Sequence, residues 1–190
     1  MNFMFDIETL GIDSTCVILS AAIIHFEQDE DLDMDMLRER ALFIKFDIKE
    51  QIEQLQRSKT KSTIQWWMEQ PEYARKKSLP AKSTDISVKE GIDRLRQYIL
   101  DVESNPKKIT IWARGSLDQM AIDSLARAIN EEHIAPYYVW RDVRTAIDIV
   151  YGSTNGYCKV PGVPKESVQK HDPVDDCALD ILMLCRGESV

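Results

Sequence analysis

The sequence predicts an α/β domain with a mixed sheet, and three observations carry that reading. Strand-like apolar runs cluster before residue 50, a further strand is followed by helical periodicity, and the remaining segments alternate between the two. Apolar residues make up 44% and charged residues 29% of the 190-residue chain, the balance of a globular protein large enough to bury one core. Residues 1–190 are therefore expected to form a single domain.

Residues 2–6 (NFMFD) form a short apolar run suited to a buried strand, and residues 15–26 (TCVILSAAIIHF) are rich enough in Val and Ile to form a second. Gly11 lies between them and predicts a turn over 10–14. The acidic stretch DEDLDMDML alternates weakly and reads as a loop or hairpin, and ALFIKFDI (41–48) reads as a third strand. Residues 50–60 look like an exposed loop that becomes basic in QRSKTKST. Thr63 is the expected cap of a short helix carrying IQWWMEQ, which Pro71 ends. Ile86, Val88, Ile92, Leu95, Ile99 and Val102 fall at helical spacing. KKITIWA then reads as a buried strand, followed by a helix over 116–130. Helices are predicted again over 141–151 and 175–186, with a Gly- and Pro-containing loop over 152–170.

No apolar run approaches the roughly 20 residues needed to span a bilayer. Two acids interrupt MNFMFDIETLG, so no signal peptide is expected and a cytoplasmic location is. Cys16, Cys158, Cys177 and Cys185 lack C-x-x-C spacing, which argues for free thiols rather than a zinc site or disulfide framework. With 24 Lys+Arg against 32 Asp+Glu, the formal charge of −8 argues against a nonspecific nucleic-acid coat. It leaves room for an enzyme that touches a few nucleotides at a strand end, where carboxylate-held cations supply local positive charge.

Asp6 and Glu8 stand at the end of the first predicted strand. Alternation puts both on one face, about 6–7 Å apart, where they can flank hard cations such as Mg²⁺ or Mn²⁺. Two solvated acids at an exposed strand end are the alternative reading of this pair alone.

Its surroundings, FMFDIETLG, resemble the first motif of the DEDD (DnaQ-like) exonuclease superfamily, whose fold is ribonuclease-H-like. IWARGSLDQMAIDSLARAI, with Asp118 in the first turn of its helix, resembles the second motif. KHDPVDDCALDIL, with His171 and Asp176 in H-x(4)-D spacing, resembles the third motif of the histidine variant. FIKFDIKEQ, TKSTIQWWMEQPEYARK, WARGSLDQMAI, WRDVRTAIDI and HDPVDDCALDILM are similar to the exonuclease A family of T-even-like bacteriophages.

The resemblance implies a ribonuclease-H-like mixed sheet flanked by helices, and a 3′→5′ exonuclease with two divalent ions, Mg²⁺ or Mn²⁺. It implies that Asp6, Glu8, Asp118 and Asp176 hold the ions and that His171 takes a proton from the attacking water. Asp172, Asp175 and Asp180 compete with Asp176, which is favoured by its spacing from His171. Thr9 and Leu10 correspond to the turn that holds the terminal nucleotide. Trp66 and Trp67 offer a stacking surface, but neighbours on a helix point about 100° apart, so at most one faces substrate. Arg114, Arg141 and Arg144 are candidates for phosphate contact, with surface ion pairing as the alternative. Lys59 and Lys61 read as a solvated loop, and His25 and His133 as structural or surface residues.

The expected partner is the 3′ end of a single strand, DNA by resemblance, in the host cytoplasm if the chain is phage-encoded. An exoribonuclease of the same fold is the alternative, since no residue visibly reads a 2′-hydroxyl. A binding module without activity would be expected to have lost a metal acid, and none is missing. Oligomeric state is not legible.

Overall fold

Alternation along the central strand decides how the layers form. The computed structural model describes residues 1–189, the side chain of Lys165 apart. Its strands are β1 (Asn2–Thr9), β2 (Ile18–Phe26), β3 (Leu42–Lys45), β4 (Thr110–Ala113) and β5 (Trp140–Asp142). They form one five-stranded sheet of order β3-β2-β1-β4-β5. β1 pairs antiparallel with β2, and β2 with β3, whereas β1, β4 and β5 run parallel. This is the ribonuclease-H-like mixed sheet.

Phe3, Phe5 and Ile7 pack on one side with Val88, Ile92 and Leu95 of α5 (Val88–Val102) and Ala121, Ile122 and Leu125 of α6 (Leu117–Ala128). Met4 points the other way, toward α1 (Met34–Arg40), α7 (Val143–Tyr151) and α8 (Pro173–Arg186). The apolar stripe of α8, made by Cys177, Ala178, Ile181 and Leu182, lies on that face. Asp6 and Glu8 continue the Met4 series, so the alternation that buries Met4 carries both acids toward α8.

The acidic stretch is a helix rather than a loop or hairpin. Asp33 caps α1 by accepting the Met36 N–H at 2.9 Å, and Leu37 is buried beneath it. Residues 50–60 are not all loop either: Asp47 caps α2 (Ile48–Glu53), and its Gln51 bonds both backbone groups of Ile18, at 2.8 and 2.7 Å. The tryptophan helix, α3 (Lys61–Glu69), starts earlier than expected, with Thr60 rather than Thr63 at the cap position. Gln70 is extended before Pro71, as the steric restriction on a pre-proline residue requires. A further helix, α4 (Glu72–Ser78), and the three-residue β5 were not anticipated. Among the described residues no helix is long and apolar enough to cross a membrane, and all four cysteines are free thiols.

Candidate active site

Three separate stretches of chain meet where β1 ends. β1 brings Asp6 and Glu8, and a bulge between Glu8 and Thr9 shifts the register with β2 just beyond them. α6 starts after β4, the parallel neighbour of β1, and carries buried Asp118 in its first turn. α8 carries Asp176 in its first turn, with His171 just ahead of the helix. Ligand atoms of Glu8, His171 and Asp176 all lie within 4.8 Å of one another. His171 Nδ1 is 4.0 Å from Glu8 Oε1, and the His171 backbone N–H donates to Asp176 Oδ2 at 3.1 Å. The H-x(4)-D spacing thus closes a small loop in which the acid holds the main chain of the histidine.

Burial raises all four carboxyls of the set above the usual carboxylate range. Burial pushes Asp6 well above the usual carboxylate range, reinforced by Asp118, Asp176 and Glu8. Glu8 is raised in the same way, first by burial and then by Asp176 and Asp118. Burial takes Asp118 to about 8, with Asp180 adding to it and the Arg114 backbone N–H opposing. Asp176 rises to about 7 through burial and then Asp180. His171 moves the other way, lowered by burial and then by Lys170, so its imidazole is neutral near pH 7.

The competing acids have other work. Asp175 is buried and faces α1, where it accepts Arg38 Nε at 2.7 Å and Nη2 at 2.8 Å. Asp172 caps α8 and pairs with Lys77. Asp180, one turn past Asp176, accepts Nε and Nη2 of Arg114 at 3.0 and 2.6 Å.

Their surroundings separate the candidate substrate contacts. Arg114 is not free for phosphate: besides Asp180 it donates from Nη1 to the Gly156 carbonyl at 2.8 Å and stacks on Tyr157. Trp67 is fully buried and its indole N–H donates to the Thr9 carbonyl at 2.9 Å, so it is core rather than a stacking surface. Trp66 is the exposed member of the pair. Leu10 is buried beside Trp67; its N–H donates to the Val17 carbonyl and its C=O accepts from the Thr60 N–H. Thr9 is half-buried, its hydroxyl donating to the Gly11 carbonyl at 2.7 Å.

Arg141 is exposed and donates to the Tyr138 and Trp140 carbonyls, whereas Arg144 is exposed with its stem over Gly156. Lys59 and Lys61 are solvated, as expected. His25 bonds the Tyr98 hydroxyl, and His133 lies beside Asp123 and Arg127, both remote from the acids in their contacts. Sequence reasoning missed Tyr73 and Lys77, which fasten the segment around His171. Their only advance signal was proximity to the tryptophan pair.

Divalent cations fit this set. Asp118 Oδ2 is buried with no hydrogen-bond partner, and the elevated carboxyls mark a deficit of positive charge. Oxygen-rich ligand sets of this kind suit Mg²⁺ or Mn²⁺.

The sheet order and the placement of acids at the end of β1 and at the starts of α6 and α8 are those the resemblance to DEDD-type 3′–5′ exonucleases implies. Residues 1–184 match the model of the 3′-5′ exoribonuclease Rv2179c-like domain, and the chain belongs to that family. It is 33% identical over 202 aligned positions to the exodeoxyribonuclease of Enterobacteria phage T4, covering 96% of this chain and 87% of that protein. The crystal structure of cell-death related nuclease 4 is similar at a TM-score of 0.48 and 12% identity, over 96% of this chain. This chain spans 61% of that nuclease. DEDD exonucleases use divalent metal ions and act on nucleic acid, and the chain is an enzyme of that kind.

Proposed function

We propose that residues 1–190 act as one 3′→5′ exonuclease domain that releases 5′-mononucleotides from the 3′ end of single-stranded DNA. The convergence of Asp6, Glu8, Asp118, Asp176 and His171 from three stretches of chain carries the reading. The four carboxyls would hold two divalent ions, Mg²⁺ or Mn²⁺. Bound there, such ions lower the pKa of an attacking water and stabilise charge on the phosphate and the departing 3′-oxygen.

His171 supplies the base. Its imidazole, neutral near pH 7, accepts the proton of the attacking water, while Asp176 fixes its backbone and Glu8 lies beside its ring. Arg144, exposed and close enough to lower the Asp118 carboxyl, is the better placed arginine for phosphate contact. Exposed Arg141 and half-buried Thr9 serve the strand end in this reading. The name of the phage relative supports DNA, and the description of the family supports the second reading, an exoribonuclease.

The test is a time course on matched 5′-labelled DNA and RNA oligonucleotides with Mg²⁺, Mn²⁺ or EDTA. Products shortening from the 3′ end with either metal are expected, faster on DNA and absent in EDTA. Faster cleavage of RNA would move the assignment to the second reading, and no cleavage with either metal would overturn both.

A further inference from the structure

His171 is held on both sides and across its ring by the α3–α4 pair. Its ring meets Trp66 at 4.7 Å between centroids and 81° between planes, and Trp67 at 6.2 Å and 72°. The two indoles brace each other at 5.2 Å and 76°. Edge-to-face contacts of this sort fix the orientation of a ring as well as its position. On the N-terminal side of the histidine, the Tyr73 hydroxyl donates to the Lys170 carbonyl at 3.2 Å. On the C-terminal side, Lys77 pairs with Asp172, whose other oxygen caps α8.

The restraint answers a local need. His171 has φ +62°, a left-handed conformation that residues bearing a Cβ populate sparsely. Residues 152–170 ahead of it form a long connection with little regular structure. Neither a helix nor a sheet ladder holds this main chain, so orientation of the imidazole depends on neighbours.

We propose that the α3–α4 pair is a cradle that orients His171, with Trp66, Tyr73 and Lys77 as positioning residues. This rests on the reading of His171 as the base. It assigns Trp66 a task different from base stacking: its edge-to-face contact is with the histidine, and substrate need not touch it. Misplacement of a reacting group by about 1 Å can cost on the order of 100-fold in rate, so loss of the Trp66 ring should appear in kcat.

The experiment compares wild type with Trp66→Ala, Trp66→Phe, Tyr73→Phe and His171→Ala, using Mg²⁺ and an oligonucleotide. It is paired with proton NMR of the histidine ring in the metal-free protein. Trp66→Ala should lower kcat about 10- to 100-fold at unchanged KM and move the ring-current-shifted His171 resonances toward free-histidine positions. Trp66→Phe should restore most of both, and Tyr73→Phe should lower kcat by a smaller factor. A rise in KM with kcat unchanged would make Trp66 a substrate contact and overturn the cradle. Unchanged kinetics and resonances in Trp66→Ala would also overturn it. If His171→Ala is inactive in those cases, the base reading stands without the cradle. Full activity of His171→Ala would remove the base reading and the cradle with it.

Discussion

Arg114 grips Asp180 with two nitrogens, Nε at 3.0 Å and Nη2 at 2.6 Å, one turn of α8 beyond Asp176. A fifth buried acid beside the four proposed metal carboxyls is thus paired with a cation of the protein itself.

Arg114→Met would leave Asp180 as an uncompensated buried charge. Breaking such a pair from one side costs about 3–5 kcal/mol, or roughly 6–20 °C in melting temperature for a chain of this size. Adding Asp180→Leu should recover much of that loss, because removing both charges leaves none unpaired. Thermal melts of the single and double variants check this, and a single variant melting like wild type would refute it.

The acid cluster makes metal-free stability depend on pH. Asp118 moves from 3.8 to about 8 and Asp176 from 3.8 to about 7. Both are raised, so the folded protein binds more protons than the unfolded chain within that window. Stability therefore falls as pH rises from about 4 to about 8. In EDTA the melting temperature should be lower at pH 8 than at pH 5. Added Mg²⁺ or Mn²⁺ should raise it more at pH 8, where ionised ligands are gained. Equal metal-induced shifts at both pH values would contradict the proposed ligand set.

Asp118→Asn removes one of these charges while keeping the shape. In EDTA at pH 8 it should stabilise the fold by roughly 1 kcal/mol or more, about 2–4 °C per kcal/mol. In Mg²⁺ it should abolish degradation of labelled oligonucleotide, a loss on the order of 1,000-fold as for other essential electrostatic groups. A variant both active and unstabilised would exclude Asp118 from the metal set.

Trp67 and Trp66 should separate by experiment as they do by burial. Trp67→Ala empties a fully buried site and strands the Thr9 carbonyl, so it should cost about 3–5 kcal/mol. Half-exposed Trp66→Ala should change the melting temperature by only a few degrees. Similar large losses in both melts would argue against the division.

What the sequence made legible was short-range. Period-two alternation placed Asp6 and Glu8 on one face, and H-x(4)-D spacing singled out Asp176, which the structure joins to the His171 N–H five residues back. The parts it withheld depend on partners far along the chain. Arg114 and Asp180 are 66 residues apart, so no local pattern distinguishes that arginine from one free to hold phosphate. Helical geometry announced that Trp66 and Trp67 diverge, but only the Thr9 carbonyl and the Leu10 cluster decide which turns inward. Asp33 and Asp47 cap two short helices that the sequence reading missed. Their helices were hidden because each buries so little apolar surface. β5 is three residues long, below the length at which alternation can be recognised.

The seating of α8 on β1 and β2 also bears on timing during synthesis. Asp6 and Glu8 emerge from the ribosome first, Asp118 much later, and His171 and Asp176 only with the segment that opens α8. A nascent chain whose α8 has not docked holds an incomplete set of the groups proposed for cleavage. On the proposed reading, the set of metal acids and base is therefore complete only once the last helix has seated, so assembly of the site is coupled to the end of folding.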